Sequence, residues 1–490
     1  MAFAGPFVAA AAGAGLMALG LPKASIAPAA IVGLALVYWA WFGLPPRVAF
    51  LAGWFSGTIY FCATFSWFGE TAGKFVAPYG FVLVLFPALM EGFAIAVAGW
   101  LTAIAARRAP PALVPLAGAA AFAVAEWLRS SGPLALPFGN VAYAQVATPL
   151  APLAAFVGSF GLTFAVCLLA ASAAWWARGE PAALRAGAFA AGVVLVATAA
   201  AWALWPARHL APPTVRVAAI QGNIPQDVKW TREAFELANA RYEALTRRAA
   251  LARPALILWP ETVVTIDLNL SPAMLARLSG LARAAHTELI VGAKQLTARG
   301  EYNALYYFGP DGTQQGVYQK RRLVPFVEQL PAERLLGNLP GAALVSRFLS
   351  GTSTGVREVD GLRVAPMICW ESAFDGSAHE AVRDGADAFL VATDDAWFGE
   401  TAGPYQHAEI AQMRALETGS WIVRAAATGI SGIVAPTGRY VRSAPLDRVA
   451  IVEGTIGPPA RTAYARFGAA PVGIALVLLY AALVARRRPE

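Results

Sequence analysis

Residues 364–372 read Val-Ala-Pro-Met-Ile-Cys-Trp-Glu-Ser, so an apolar, strand-like run changes to a polar turn at Cys369. Two upstream stretches have the same form: Glu261 follows Leu-Ile-Leu-Trp-Pro, and Lys320 follows Val-Tyr-Gln. A thiol with a pKa of about 8.5 is mostly protonated at neutral pH, so a reactive cysteine needs a base or a nearby cation. The three stretches therefore indicate a nucleophile, Cys369, with Glu261 as base and Lys320 as the cation facing a developing oxyanion.

The segment around these residues, about 213–461, alternates short β-branched apolar runs with amphipathic stretches of helical periodicity. Many strands mixed with layered helices favour an α/β sandwich. The predicted strands lie near 215–220, 256–259, 288–293, 303–308, 316–319, 362–369, 388–393, 421–426, 433–436 and 449–455, and the predicted helices near 231–252, 272–285, 377–384 and 407–419.

The rest of the chain is too apolar for a soluble enzyme. Apolar residues make up 58% of the sequence, whereas globular domains contain about 45 to 50%. The excess lies in runs close to the roughly 20 residues that cross a bilayer. We predict a polytopic α-helical membrane bundle at 1–206, an exported catalytic domain at 213–461 and a C-terminal transmembrane helix at 467–485. The eight or so spans are expected near 4–21, 26–44, 48–68, 78–106, 111–129, 149–177, 184–205 and 467–485.

Basic residues in the short loops predict the orientation, because Lys and Arg resist translocation. With both termini inside, eight basic residues fall on the inner side and three on the outer side, which places the segment 213–461 outside the cytoplasm. The net charge of +8 is then mostly a topology signal. The inner residues are Arg47, Arg107, Arg108, Arg178, Arg185, Arg486, Arg487 and Arg488, and the outer ones are Lys23, Lys74 and Arg129.

The cysteines and histidines do not form a metal-binding pattern. Cys62 and Cys167 lie in predicted spans, where we expect small apolar packing residues. Cys369 is alone in the exported segment, so no disulfide can form within that segment. Because zinc-ligand spacing, a Gly-rich phosphate loop and an aromatic-basic groove are all missing from the sequence, we expect no metal, no cofactor and no nucleic-acid partner.

A series of motifs along the chain resembles one known family. The segment 213–461 is similar to the nitrilase, or carbon-nitrogen hydrolase, superfamily, and with the predicted spans the chain resembles the membrane-embedded apolipoprotein N-acyltransferase family. The motifs are Glu126-Trp-Leu-Arg129, Pro137-Phe-Gly-Asn140, Ile220-Gln-Gly-Asn-Ile-Pro-Gln226, Lys229-Trp230, Trp259-Pro-Glu-Thr262, Tyr318-Gln-Lys-Arg321, Leu323-Val-Pro-Phe326, Ile368-Cys-Trp-Glu371, Asp395-Ala-Trp-Phe-Gly399, Gln406-His407, Met413-Arg-Ala-Leu-Glu417 and Arg424-Ala-Ala426.

This resemblance implies an α-β-β-α sandwich with a Glu261–Lys320–Cys369 triad. It also implies that Glu328 is a second acid that assists the triad, that Glu371 is an important acid beside the cysteine, and that Trp230 contacts substrate. Trp397 and Phe398 are candidates for lining an acyl groove. The chain departs from the family pattern at Trp370, Val327 and Asp394, where tyrosine, glycine and asparagine are expected.

The implied reaction is ping-pong acyl transfer in the bacterial inner membrane, with the catalytic domain on the periplasmic face. The acyl donor is a membrane phospholipid, typically phosphatidylethanolamine, and the acceptor is the N-terminal amine of a diacylglyceryl-cysteine apolipoprotein. Two alternatives stay open on the residues alone: a membrane-tethered amidase or nitrilase that hydrolyses a small C–N substrate, and a non-catalytic membrane scaffold.

Two further expectations concern the surroundings of the site. The segment 330–349, rich in Leu, Pro and Ala, is either an interfacial arm or an ordinary surface excursion. Glu126 and Arg129 lie in a predicted span, where unpaired charges are costly, so we expect them to be paired.

Overall fold

The chain divides into two compact units, described here by a computed structural model. The structure describes residues 4–76, 79–179, 183–338 and 345–485, so part of the predicted arm, 339–344, and the basic tail, 486–490, lie outside the described residues. One unit comprises Met1–Trp205, Phe398–Glu417 and Thr462–Glu490, and the other comprises Pro206–Trp397 and Thr418–Arg461. The predicted domain limits stay a prediction.

The first unit is helical, and the predicted spans overlap its helices, with the spans near 48–68 and 78–106 each covering parts of two helices. Its elements are α1 (Ala4–Ala18), α2 (Ala27–Gly43), α3 (Pro46–Thr64), α4 (Ser66–Val76), α5 (Gly80–Leu83), α6 (Leu85–Arg108), α7 (Val114–Arg129), α8 (Ala154–Ala177), α9 (Ala183–Leu204), α14 (Gly403–Thr418), α15 (Ala463–Phe467) and α16 (Ala469–Ala485).

Four of the described helical segments are long and apolar enough to cross a membrane, namely Gly80–Arg108, Pro111–Arg129, Ala151–Ala177 and Leu184–His209. A fifth is obtained if Pro46–Thr64 and Ser66–Gly73, which meet at a bend of 57°, form one span. The helices α1, α2 and α16 are apolar but shorter. The predicted count of eight therefore stays a prediction.

A buried cluster of charges links helices α6 and α7 of the helical unit. Arg129 Nη1 lies 3.0 Å from Glu91 Oε2, and its Nη2 contacts Glu126 Oε1. The same guanidinium donates hydrogen bonds to the carbonyl oxygens of Leu136 and Phe138 at 2.9 and 3.0 Å. The predicted pairing of Glu126 with Arg129 is confirmed, and Glu91 is a third member that the sequence did not indicate.

The second unit is an α-β-β-α sandwich, as predicted. One sheet has the order β13-β1-β2-β4-β5-β6 with β3 beside β4, and the other has the order β12-β11-β10-β9-β8-β7. The strands are β1 (Val215–Gln221), β2 (Leu256–Leu258), β3 (Val264–Asp267), β4 (Glu288–Thr297), β5 (Gly300–Phe308), β6 (Gln314–Gln319), β7 (Arg357–Val359), β8 (Leu362–Ile368), β9 (Ala388–Thr393), β10 (Trp421–Ala426), β11 (Ser431–Val434), β12 (Tyr440–Ala444) and β13 (Ala450–Ile456), and the helices are α10 (Arg232–Ala249), α11 (Pro272–Ala285), α12 (Glu333–Leu336) and α13 (Asp375–Arg383).

The two sheets share one apolar core. Side chains from the first sheet, such as Val217 and Leu258, pack with Ile368 and Leu390 from the second. The outer face of the first sheet is covered by α10 and α11, whose buried residues form a second core with it. Alternate residues of β1, β2, β4 and β5 therefore point into different cores, as the period of two in a strand requires.

The polar residues of interest follow strands that run in the same direction. In the first sheet β2 and β4 are parallel, and two antiparallel steps through β5 make β6 parallel to them, so Glu261 and Lys320 follow strand ends at one edge. In the second sheet β8 and β9 are parallel, which brings Cys369 beside the residues that follow Thr393. The site residues thus lie at the carboxyl ends of the strands.

The Arg129 cluster gives a stability prediction. Arg129→Met should leave Glu91 and Glu126 buried without their cation, so the free energy of unfolding in detergent should fall by about 3–5 kcal/mol. Arg185→Met, which removes an exposed arginine from α9, should change it by less than about 0.5 kcal/mol. Equal stability of the two variants, measured by reversible denaturation, would show that the cluster contributes nothing.

Candidate active site

A buried lysine ties two carboxylates together at the edge of the first sheet. Lys320 Nζ lies 3.0 Å from Glu261 Oε1 and 2.9 Å from Glu328 Oε1, and the lysine is 1% exposed. Asn303 Nδ2 donates to the same two oxygens at 2.7 and 3.0 Å. Each carboxylate oxygen thus accepts two hydrogen bonds, which fixes both carboxylates against the ammonium.

The environment keeps Glu261 and Lys320 charged. Burial would raise the pKa of Glu261, but Lys320, followed by Asn303 and Lys229, outweighs burial and lowers that pKa below its ordinary value. Burial would likewise lower the pKa of Lys320, but Glu261 and Glu328 raise it well above the usual range. At neutral pH the pair is therefore carboxylate and ammonium.

Cys369 lies on a sharp turn between β8 and a short 3₁₀ helix, Cys369–Ala373. Its φ is +49°, in the left-handed region that a side chain with a Cβ rarely adopts. Such a conformation costs on the order of 1–3 kcal/mol and persists where the surroundings enforce it, frequently at active sites. A nucleophile on a strained strand-to-helix turn presents its side chain at the strand end.

The surroundings of Cys369 favour its thiol form over the thiolate. Burial and the Glu261 carboxylate raise the pKa of Cys369 well above its ordinary value, while Lys320 and a hydrogen bond from Thr393 oppose this shift. The site consequently holds a thiol, a carboxylate and an ammonium close enough to influence one another. This arrangement suits proton transfer from the thiol to Glu261 at the moment of attack.

Glu371 connects two strand ends. Its carboxylate accepts hydrogen bonds from Ile368 N at 2.6 Å, from Arg321 N at 2.7 Å and from the Tyr318 hydroxyl at 2.8 and 2.9 Å. Burial raises the pKa of Glu371, although these donors oppose the shift. The side chain thereby joins the backbone next to Cys369 to the backbone next to Lys320.

Glu328 is held by its own loop as well as by Lys320. Its second oxygen, Oε2, accepts a hydrogen bond from Val324 N at 2.9 Å. The loop between them turns tightly, since Phe326 has a φ of +62° and its N–H donates to Gln329 O at 2.7 Å. The sequence-predicted residues Glu261, Lys320, Glu328, Cys369 and Glu371 therefore all lie at the carboxyl ends of the strands.

The predicted substrate-binding residues lie in different surroundings. Trp230 is 53% exposed, and its ring centroid is 5.6 Å from Lys229 Nζ. Trp397 is half-buried. Phe398 is buried in the helical unit, where its ring packs 4.7 Å from Trp67. Phe398 thus packs on an aromatic neighbour in that unit, whereas Trp230 offers an accessible aromatic surface. The acyl-lining role of Trp397 and Phe398 stays a prediction.

Three polar residues at the site were not predicted as site residues. Asn303 lies inside β5 with no motif around it, so nothing in the sequence indicates its two hydrogen bonds. Lys229 belongs to the Lys229-Trp230 motif, and Asp394 is one of the departures from the family pattern. In the structure, Lys229 Nζ lies 2.5 Å from Asp394 Oδ2. A signal for these two was therefore present, in the lysine beside Trp230 and in the aspartate at an asparagine position.

Comparisons with known proteins identify the family. Residues 216–466 match the carbon-nitrogen hydrolase family, and residues 13–172 match the apolipoprotein N-acyltransferase N-terminal domain. A protein of Azotobacter vinelandii strain DJ named apolipoprotein N-acyltransferase is 35% identical, over 99% of this chain and 95% of its own. Proteins of the same name from Pseudomonas aeruginosa strain PAO1 and Caulobacter vibrioides are 33% and 34% identical, over 99% and 91% of this chain and 97% and 87% of theirs.

These matches extend over both units, in agreement with the resemblance that the motifs predicted. Together with the sandwich and the membrane-length helices, they establish that the chain belongs to the apolipoprotein N-acyltransferase family and is an acyltransferase of the nitrilase superfamily.

Proposed function

We propose that this enzyme transfers an acyl chain from a membrane phospholipid, typically phosphatidylethanolamine, to the N-terminal amine of a diacylglyceryl-cysteine apolipoprotein, through a thioester on Cys369. The observation that carries the proposal is the buried Lys320 between Glu261 and Glu328, beside a cysteine whose backbone is strained. This is the charge pattern that a thiol nucleophile with its own base and oxyanion cation requires.

The first half-reaction loads the enzyme. Glu261 takes the proton of Cys369 as the sulfur attacks the ester carbonyl carbon, and the Lys320 ammonium stabilises the oxyanion that forms. The C–O bond to glycerol then breaks, and Glu261 returns the proton to the departing oxygen. The products are an acyl thioester on Cys369 and a lysophospholipid.

The second half-reaction discharges the thioester. The α-amino group of the apolipoprotein attacks the thioester carbonyl and gives a proton to Glu261 as the C–N bond forms. Breakage of the C–S bond releases the amide, and Cys369 recovers its proton. Both substrates are anchored in lipid, which gives a physical reason for joining a hydrolase-type domain to membrane helices.

The other predicted site residues have supporting roles in this proposal. Glu328 shares the Lys320 ammonium with Glu261 and thereby keeps it charged. Glu371 fixes the backbone on either side of the reacting atoms. Trp230 is proposed to contact substrate because it is exposed, and Trp397 and Phe398 stay proposals for an acyl-lining role. We place the catalytic domain, 213–461, on the periplasmic face of the inner membrane.

The nucleophile is tested by single cysteine substitutions. Cys369→Ala should abolish N-acylation of a diacylglyceryl peptide, because no thioester can form. Cys62→Ala and Cys167→Ala should retain nearly full activity, since both lie in helices α3 and α8 of the other unit. Glu261→Gln and Lys320→Ala should each lower the rate by about a hundredfold or more. Full activity in Cys369→Ala would exclude the mechanism.

The acceptor is tested by separating the half-reactions. With phospholipid alone, one equivalent of lysophospholipid should be released in a burst and the reaction should then stop, because water is a poor acceptor for the shielded thioester. A diacylglyceryl peptide with a free N-terminal amine should restart it, and the N-acetylated peptide should not. Continuous release of free fatty acid without any amine would favour the hydrolase alternative instead.

The orientation is tested by labelling. Thr313→Cys and Arg439→Cys, introduced separately into a chain whose native cysteines are replaced by alanine, place thiols on exposed turns of the second unit. Both should react with a membrane-impermeant maleimide in intact spheroplasts. Labelling that occurs only after lysis would reverse the topology.

A further inference from the structure

A second buried lysine contacts the backbone of the proposed base. Lys229 is 5% exposed, and its Nζ lies 2.5 Å from Asp394 Oδ2 and 2.9 Å from Thr262 Oγ1. It also lies 3.5 Å from the backbone carbonyl oxygen of Glu261. Lys229 thereby links the backbone around Glu261 to the end of β9.

Asp394 completes this link through its main chain. Its backbone N–H donates to Glu261 Oε2 at 3.0 Å, on the carboxylate oxygen that Lys320 does not contact. Its side chain is 3% exposed and forms the ion pair with Lys229. The position of the Asp394 N–H that binds Glu261 therefore depends on the salt bridge between the Asp394 side chain and Lys229.

Five ionisable side chains face Glu261 from four places in the fold. Lys320 and Glu328 follow β6, Cys369 follows β8, Asp394 follows β9, and Lys229 precedes α10. An asparagine at position 394, which the family pattern favours, would keep the backbone N–H and one side-chain acceptor oxygen but would carry no negative charge. In this chain the Asp394 carboxylate offsets the positive charge of Lys229, so the pair adds no net charge beside the Glu261 carboxylate.

We propose that Lys229 and Asp394 form a positioning pair that holds the Glu261 carboxylate in place and sets its strength as a base toward Cys369. The inference rests on the roles of Glu261 and Cys369 in the proposed function. It goes beyond them because the pair acts through Glu261 and touches neither the thiol nor a substrate.

Removing either member of the pair should shift the pKa of Glu261, in opposite directions for the two members. Lys229→Met leaves the Asp394 charge beside Glu261, which disfavours the carboxylate and raises the pKa of Glu261. Asp394→Asn leaves the Lys229 charge, which favours the carboxylate and lowers that pKa further. The shift is expected to be about one pH unit or more in each direction. Lys229→Met combined with Asp394→Asn removes both charges and should restore the wild-type value.

The test measures alkylation of Cys369 by iodoacetamide from about pH 4 to pH 8, using the full-length chain in detergent with Cys62 and Cys167 replaced by alanine. Glu261→Gln should remove the acidic limb of the rate profile, which identifies that limb as the ionisation of the base. Lys229→Met should move the acidic limb of the rate profile to higher pH and keep the alkylation rate at pH 8 within about twofold of wild type. Asp394→Asn should lower the alkylation rate on the high-pH plateau severalfold, because a weaker base then removes the thiol proton.

The double variant and a matched control decide between tuning and simple structural support. The double variant should react faster than Asp394→Asn alone, a comparison that holds even if Lys229→Met fails to fold. Asp387→Asn, which breaks a half-buried ion pair with Arg461 at 2.8 Å, should leave the profile unchanged. An acidic limb that stays in place in Lys229→Met, or a double variant as slow as Asp394→Asn, would overturn the proposal.

Alkylation needs no lipid, so it is independent of acyl transfer. If phospholipid fails to acylate Cys369 while the limb of Lys229→Met still moves to higher pH and the plateau of Asp394→Asn still falls, the pair stands and the proposed function falls. If acylation proceeds while the limb and the plateau do not move, the proposed function stands and the pair falls.

Discussion

Burial of the Lys320 ammonium is the constraint on which the site depends. Removing an ion from water costs several kcal/mol, and this cost is offset only when opposite charges and hydrogen bonds surround it in good geometry. Glu261 and Glu328 supply those partners, and Asn303 bonds to both carboxylates. The lysine can therefore not shift without leaving two acids uncompensated, so the base is fixed by the same interaction that keeps the cation charged.

The sandwich supplies the rigid frame for this cluster. Parallel strands end at the same edge of each sheet, so residues far apart in sequence meet after β2, β6, β8 and β9. Glu371 joins two of these ends by accepting hydrogen bonds from the backbone beside Cys369 and beside Lys320. This link helps to explain how Cys369 is kept at a φ of +49°, since the residue before it is anchored and the short helix begins directly at the cysteine.

Much of this arrangement could be predicted from the sequence, because apolar runs that end in a charged residue mark strand ends. The helix at Pro272–Ala285 and the strands at Ala388–Thr393 and Trp421–Ala426 match their predicted limits. The strands β3, β7 and β12 were not predicted. All three are short. Strand β12 is also mostly exposed, and its arginine and serine interrupt the alternation of apolar and polar residues that indicates a strand.

Pairings across the fold were harder to predict, since no local pattern records them. Asn303 bonds to an acid 42 residues away, and Arg129 pairs with an acid 38 residues away. Phe398 shows a related difficulty: its aromatic ring fits an acyl groove as well as a helical core by composition, and only the contact with Trp67 shows where it packs.

The central claim is that Cys369, activated by Glu261 beside the fixed Lys320, carries the acyl chain. Mass spectrometry of the purified protein after incubation with a phospholipid of defined acyl chains tests it most directly. The peptide containing Cys369 should gain the mass of one acyl chain, hydroxylamine should remove that chain, and Glu261→Gln should prevent its attachment. An acyl chain found on another residue, or an unmodified Cys369 peptide from enzyme that turns over phospholipid, would contradict the account.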